Sequence, residues 1–306
     1  MARDKTLTGI ALMLVFCLLA PLLDASAKLA TDAIPVGQIT TARFLVQGAL
    51  MLPVALLLRL GFGLNRRAAG LLALRALCLI ASTYAFVAGT KVMPIADALA
   101  IVFVEPFILL ILGHFLFKNA IGPRRIAAAV VGFAGVLLVI QPSLTLYGTV
   151  ALYPLATAFL FAFYMLITQS LGPGTHPVMQ QLYTSIFGGL ICLPVILLAD
   201  GSGLAELDPV WPQGLFWLWL FGVGFWAAVS HMSMTFALKY APASTLAPLH
   251  YLELIAAVAV GYLIFGTFPN LLTWAGIVVI VGSGLYVIHR ERVTGQKARA
   301  ALPAEI

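Results

Sequence analysis

Residues 91–117 read KVMPIADALAIVFVEPFILLILGHFLF, and residues 239–265 read KYAPASTLAPLHYLELIAAVAVGYLIF. The two stretches align without a gap at a constant offset of 148 residues. The identical positions are Lys91 and Lys239, Pro94 and Pro242, Glu105 and Glu253, Gly113 and Gly261, and Phe117 and Phe265. Two apolar helices can share a glycine or a proline by chance. A glutamate at the same register of both apolar runs favours an internal repeat.

The composition places this repeat in a membrane. Of the 306 residues, 62% are hydrophobic and only 9% are charged, and the mean hydropathy is +1.06. A soluble domain carries roughly 25% charged residues, so the solvent of this chain is lipid. The net charge of +6 does not indicate nucleic-acid binding, because the basic residues occur in short clusters between apolar runs, as topology signals do.

Ten apolar runs are long enough to cross a hydrocarbon core of about 30 Å, which takes about 20 helical residues. They cover residues 7–29, 34–58, 69–90, 94–117, 122–141, 147–170, 179–199, 213–236, 242–265 and 269–289. The sequence therefore predicts an all-α integral membrane protein with ten transmembrane helices. Two five-helix repeats are expected at residues 1–141 and 147–289, and a cytoplasmic tail at residues 290–306.

The distribution of Lys and Arg predicts the orientation in the membrane. With the amino terminus in the cytoplasm, the outer loops contain only Lys91, while thirteen basic residues lie on the inner side. These are Arg3, Lys5, Arg59, Arg66, Arg67, Lys118, Arg124, Arg125, Lys239, Arg290, Arg292, Lys297 and Arg299. Positive residues concentrate on the cytoplasmic side of membrane proteins, so we expect both termini inside, in the inner membrane of a bacterium.

The odd number of helices in each repeat has a structural consequence. If five helices follow five others, the second repeat enters the membrane from the opposite side and is inverted relative to the first. Inverted repeats place a solute site near the bilayer midplane, where the two copies meet. The repeat thus predicts a carrier with a central site.

Several short motifs resemble a known family. They are Arg43-Phe44-Leu45, Tyr84-Ala85-Phe86, Met93-Pro94-Ile95-Ala96-Asp97-Ala98, Tyr240-Ala241-Pro242-Ala243-Ser244, Gly132-Phe133-Ala134-Gly135-Val136 and Gly282-Ser283-Gly284. Together they resemble the drug/metabolite transporter superfamily, in its EamA-type branch with ten helices. Many members carry a Gly-Glu pair at the end of the fourth and ninth helices, where this chain has Phe117-Lys118 and Phe265-Gly266.

Within the superfamily, residues 93–106 look most like the branch that contains bacterial riboflavin and S-adenosylmethionine transporters. The resemblance implies a secondary transporter for a small polar metabolite, with riboflavin uptake as the favoured activity. Amino acids and S-adenosylmethionine remain alternative solutes, and export remains an alternative to uptake. The expected partners are the solute and membrane lipids, with the chain acting as a monomer or homodimer without a cofactor.

Two acidic residues are predicted to lie near the midplane. Glu105 follows Pro94 by eleven residues, about 16 Å along a helix, and Glu253 reaches the same depth from the other side. Ionisable residues inside a membrane are costly and mark functional sites by default. We expect one or both glutamates to bind a cationic group of the solute or to exchange a proton during transport. A structural ion pair between helices is the alternative.

Other candidates surround these glutamates. Pro106 and Pro248 are expected to interrupt their helices and to form hinges, because proline removes a backbone hydrogen bond. Arg43 is expected to pair with Asp24 or Asp97 in an outer gate. Arg75, near the inner end of its run, is expected to extend to the lipid headgroups.

Aromatic and imidazole side chains complete the predicted site. Tyr84, Trp226 and Tyr251 lie at mid-membrane depth, where they could stack on a flat ring or simply pack in the core. His231 and His250 are expected in an inner vestibule. The spacing of His250 and Glu253 resembles half of a metal site, but no HExxH motif or convincing third ligand accompanies it.

Two other classes of function compete with transport. An intramembrane enzyme is disfavoured because the catalytic motifs of such enzymes are missing, and a receptor because no extramembrane domain is predicted. No GxxxxGK[ST] motif is present, which excludes ATP-driven transport by this chain alone.

Overall fold

The computed structural model describes residues 2–117, 123–172, 174–241 and 246–300, and every regular element in these ranges is helical. The helices are α1 (Ala2–Ala30), α2 (Val36–Leu57), α3 (Arg66–Val92), α4 (Ile95–Val102), α5 (Glu105–Phe117), α6 (Pro123–Tyr147), α7 (Leu152–Leu171), α8 (Pro177–Ala199), α9 (Phe216–Tyr240), α10 (Tyr251–Phe265) and α11 (Leu271–Ala300). Short 3₁₀ turns at Gly148–Ala151 and Ala247–His250 precede α7 and α10. The all-α prediction is confirmed.

Six stretches of these helices are long and apolar enough to cross a membrane. They are Thr6–Ala30, Val36–Leu57, Arg66–Val92, Val130–Leu171, Pro177–Ala199 and Phe216–Tyr240, of which the fourth joins α6 to α7. Tyr251–Phe265 and Leu271–Ser283 are shorter apolar helices. The expected tail is helical as far as Ala300. Lys118, Pro242 and the last six residues of that tail lie outside the described residues.

Local sequence sets the helix ends. The Asn65 side chain accepts a hydrogen bond from the Ala68 N–H at 2.7 Å and caps the start of α3. At the end of α10, Gly266 adopts φ +64°, a left-handed conformation that glycine tolerates best. The Gly266 N–H then donates to the Tyr262 carbonyl at 3.0 Å. This glycine ends the helix directly after Phe265.

The fourth predicted span is broken in two. Helix α4 ends at Val102 and α5 begins at Glu105, one residue before Pro106. Since Pro106 has no N–H to donate to the preceding turn, the chain forms a tighter turn instead, in which the Val104 N–H donates to Ile101 at 3.2 Å. The equivalent region of the second half, which contains Pro248, is the 3₁₀ turn before α10. The predicted interruptions are therefore observed, and hinge motion at them stays a prediction.

The two halves pack against each other in a symmetrical pattern. Helix α1 packs along α9, and its counterpart α7 packs along α3, the counterpart of α9. Helix α2 packs along its own counterpart α8, and α6 along α11. Exchanging every helix for its counterpart leaves this set of pairs unchanged, which is the pattern that an approximate two-fold axis between the halves produces.

Candidate solute site

A cavity of about 730 Å³, counting the space that opens to solvent, lies between the two halves. Its walls come from α1, α2, α3, the broken α4–α5 pair, α7, α9 and the region around α10. The charged and imidazole side chains that line it are Asp24, Arg43, Glu105, His231, His250 and Glu253.

Arg43 joins the two halves at the wall of this cavity. Its guanidinium donates to the Thr83 hydroxyl on α3 and to His231 Nε2 on α9, the latter at 2.7 Å. Thr83 and His231 are 148 residues apart, the offset of the repeat. The arginine thus bonds to equivalent positions of both halves.

This contact defines the state of His231. Arginine can only donate hydrogen bonds, so Nε2 must accept, and the imidazole is neutral with its proton on Nδ1. That proton points to the Tyr164 hydroxyl, 3.1 Å from Nδ1. Tyr164 in turn accepts from Arg75 at 2.8 Å. A buried chain of hydrogen bonds therefore runs from Arg43 through His231 and Tyr164 to Arg75.

The prediction that Arg75 extends to the lipid headgroups is wrong. The side chain is fully buried and donates to Thr168 at 2.8 Å, to the Gln180 carbonyl at 3.1 Å, to Tyr164 and to the Thr184 hydroxyl. Its guanidinium also lies 4.4 Å from the Tyr164 ring centroid. The partners on α7 and α8 supply enough polar contacts to hold the guanidinium inside the protein.

A contact between Glu105 and His250 connects the broken span of the first half to the broken span of the second half. Glu105 Oε2 lies 3.3 Å from His250 Nδ1, and both side chains are buried at the cavity wall. The imidazole stacks on Phe16, with the ring centroids 5.3 Å apart and the planes 24° from parallel. Phe161 approaches it at 6.2 Å. The carboxylate and the two phenyl rings thus fix the orientation of the imidazole.

Asp24 and Glu253 give the cavity an excess of acidic groups. Both line it together with Glu105, and the three carboxyl groups are close enough to interact electrostatically. Asp24 also lies within electrostatic range of Arg43. Among the described residues, the hydrogen bonds of Arg43 go to Thr83 and His231 rather than to an aspartate. The predicted pairing of Arg43 with Asp24 or Asp97 is thus limited to an electrostatic interaction with Asp24 that involves no hydrogen bond.

Four predicted site residues lie outside the cavity wall. Asp97 is buried in the first turn of α4, and its Oδ1 has no hydrogen-bond partner in the described part of the chain. Tyr251 packs on Phe103, with the ring centroids 5.6 Å apart. Tyr84 and Trp226 are partly buried and pack against an apolar cluster of α1, α2 and α9.

The sequence analysis did not select the aromatic residues that do line the cavity. They are Phe16, Phe86, Phe103 and Phe161. Of these four, only Phe103 could have been selected from the sequence, because it lies at the repeat position equivalent to Tyr251, which was a predicted site residue. For the other three, nothing in a uniformly apolar helix distinguishes a phenylalanine facing a cavity from one facing lipid.

A bundle of apolar helices whose two similar halves surround a largely apolar cavity with a few ionisable side chains in its wall is the architecture of a membrane carrier for a small solute. The chain belongs to the EamA-like transporter family, whose profile matches it twice, at residues 7–141 and 148–288. The protein is therefore a multi-pass membrane transporter, within the drug/metabolite transporter superfamily, that contains two EamA repeats.

Three similar proteins are named as transporters. The chain is 32% identical to a riboflavin transporter of Rhizobium johnstonii, over 68% of this chain and 66% of the relative. It is 26% identical to a riboflavin transporter of Brucella anthropi, over 82% and 87%. An S-adenosylmethionine uptake transporter of Rickettsia conorii is 28% identical, over 72% and 71%. These names support the branch of the family that the sequence motifs indicated.

A solved crystal structure has a similar fold. It matches 95% of this chain and 99% of its own chain, with a TM-score of 0.69 and 19% sequence identity.

Proposed function

We propose that the protein is a secondary active transporter that carries a small polar metabolite across the bacterial inner membrane by alternating access. Ten membrane crossings in two inverted five-helix repeats, with both termini in the cytoplasm, would provide this mechanism. The symmetrical packing of α1 with α9 and of α3 with α7 supports the repeat relation. The basic residues concentrated on one side of the predicted spans support the orientation.

The observation that carries the proposal is the cavity between the halves. Glu105 on one broken span faces His250 beside the other, so a movement of the halves alters the solute site and the contact together. Pro106 and Pro248 lie at the breaks, where a rotation of the backbone disrupts few hydrogen bonds. We assign solute contact or proton exchange to the six charged and imidazole side chains that line the cavity.

Riboflavin is the proposed solute. The four phenylalanines of the cavity offer apolar faces to a flat ring system, and the polar side chains offer partners for its carbonyl, amide and hydroxyl groups. The riboflavin transporters among the relatives agree with this choice.

Growth of a riboflavin auxotroph provides the test. Expression of this chain should restore growth at a limiting riboflavin concentration at which cells with an empty vector stop dividing. Detectable membrane insertion without restored growth would contradict riboflavin uptake.

S-adenosylmethionine is a second candidate, and a specific observation favours it. Asp24, Glu105 and Glu253 outnumber Arg43 among the formally charged residues of the cavity wall. Buried charges require opposite charges nearby, and the sulfonium and ammonium groups of S-adenosylmethionine would supply them. A neutral solute such as riboflavin instead requires bound protons to offset the carboxylates.

Competition in proteoliposomes separates the two candidates. Riboflavin flux that unlabelled riboflavin inhibits and S-adenosylmethionine does not would support the first candidate. Flux of labelled S-adenosylmethionine that unlabelled S-adenosylmethionine inhibits and riboflavin does not, in liposomes that show no riboflavin flux, would support S-adenosylmethionine as the solute.

A further inference from the structure

Among the residues that the structure describes, three in the cavity wall have a buried polar atom without a hydrogen-bond partner. The atoms are Arg43 Nε, Glu105 Oε1 and His250 Nε2. Most buried polar atoms in folded proteins are paired, because leaving one unpaired is costly. Since all three residues face one cavity, the missing partners fit a bound solute better than three unrelated defects.

Glu105 and His250 form one unit with two open positions. The Glu105 Oε2 to His250 Nδ1 contact of 3.3 Å uses one polar atom of each side chain. The remaining polar atoms, Oε1 and Nε2, are buried and have no hydrogen-bond partner within the described part of the chain. Because Phe16 stacks on the imidazole and Phe161 approaches it, the direction of Nε2 is fixed. When the pair is ionised, Oε1 accepts a hydrogen bond and Nε2–H donates one.

We propose that the Glu105–His250 pair is the recognition element for a lactam or imide edge of the solute. The N–H of that edge donates to Glu105 Oε1, and a carbonyl accepts from His250 Nε2–H. This proposal rests on the proposed function, since the pyrimidinedione ring of riboflavin carries such an edge. It extends that function from a flat polar solute to a defined chemical group and two named atoms.

A cycle of solute and protein variants tests the contact between the N–H and Glu105. Riboflavin and its N3-methyl derivative differ only in the N–H that the proposal places on Oε1. Binding of both is measured by quenching of flavin fluorescence, with protein in lipid nanodiscs. The wild-type protein should bind the methyl derivative about tenfold more weakly, a difference of about 1.4 kcal/mol. In Glu105→Met, which has no acceptor oxygen, this difference should disappear.

Three further variants serve as controls. Glu105→Gln keeps the shape of the side chain and one acceptor oxygen, so part of the tenfold difference in affinity between the two flavins should remain. This variant provides a result if Glu105→Met folds poorly. His250→Leu should weaken both flavins by a similar factor, because it removes the donor to the carbonyl and leaves the N–H contact. Glu206→Gln changes a partly exposed glutamate that pairs with Lys91 outside the cavity wall, and it should leave all values unchanged.

The outcomes separate this inference from the proposed function. If riboflavin binds but methylation costs nothing, or costs the same in Glu105→Met, the recognition element is overturned and riboflavin remains a candidate solute. If riboflavin fails to bind, the same cycle is run with lumazine and N3-methyllumazine, which carry the imide edge without the flavin. A methylation penalty that Glu105→Met removes would then support the recognition element and reject riboflavin. Failure of both ring systems to bind would reject both.

Discussion

Replacement of Gly276 by alanine would put a methyl group where α6 and α11 touch. A Cβ atom at Gly276 would lie 2.5 Å from Val139 Cγ2 and 2.7 Å from the Gly135 carbonyl oxygen. Ordinary contacts begin at 3.4 Å, so the methyl group is too close by about 0.7–0.9 Å. Neither neighbour moves easily, because one is backbone and the other is a buried β-branched side chain with a restricted rotamer.

The helices must therefore separate, which costs about 1–3 kcal/mol for overpacking of this kind. Gly282, in the same helix, is the matched control, because a Cβ there would meet no atom within 4 Å. Alanine at either position gains up to about 1 kcal/mol of helix propensity, and this gain cancels in the comparison. Gly276→Ala should therefore be less stable than Gly282→Ala by about 1–3 kcal/mol.

Thermal unfolding of the two purified variants in one detergent, followed by tryptophan fluorescence, measures this difference. The Gly276→Ala protein should unfold at the lower temperature. Equal midpoints would refute the close approach of α6 and α11 and, with it, the packing of the last helix of each half.

Three further predictions concern charge and topology. Arg75→Lys should lower the free energy of unfolding by about 1–2 kcal/mol, because an ammonium group keeps the buried charge but cannot bond to α7 and α8 in the same geometry; an unchanged midpoint of thermal unfolding would contradict this. Lys91→Ala should change the free energy of unfolding by less than about 1 kcal/mol, because the 2.7 Å contact between Lys91 and Glu206 is solvent-exposed. A larger loss of stability in chemical unfolding would contradict this prediction. In intact spheroplasts a membrane-impermeant maleimide should label Ser202→Cys, and it should label Gly61→Cys only after lysis; the reverse pattern would contradict the proposed orientation.

The sequence predicted the residues whose chemistry is unusual for a membrane. Glu105 and Glu253 stood out as carboxylates at equivalent positions of a repeat, and both line the cavity. The break before α5 followed from Pro106, because a missing N–H acts locally and needs no knowledge of neighbouring helices. The break is observed because its cause lies within a few residues of the chain, and the transport role of the two glutamates stays a prediction.

Predictions that depend on the rotation of a helix were weaker. Tyr84 and Trp226 pack against an apolar cluster outside the cavity wall, whereas Phe16 and Phe161 line the cavity. In a membrane both the core and the lipid-facing surface are apolar, so hydrophobic periodicity carries little information about which side of a helix faces inward.

Arg75 shows the effect of distant partners. Its position near the end of an apolar run is typical of a side chain that reaches the headgroups. Its hydrogen-bond partners are Tyr164, Thr168, Gln180 and Thr184, which lie 89 to 109 residues further along the chain. Such a cluster becomes visible only once the helices are placed against each other.

The most direct test of the account is the flux of riboflavin through proteoliposomes that contain wild-type protein, Glu105→Gln or Glu253→Gln. Glu206→Gln serves as the control for the same chemical change outside the membrane. Flux is expected for the wild type and the control, and flux at the level of empty liposomes for the two cavity variants, with equal amounts of each protein inserted. Full flux in both cavity variants would contradict a transport site between the two halves at these carboxylates.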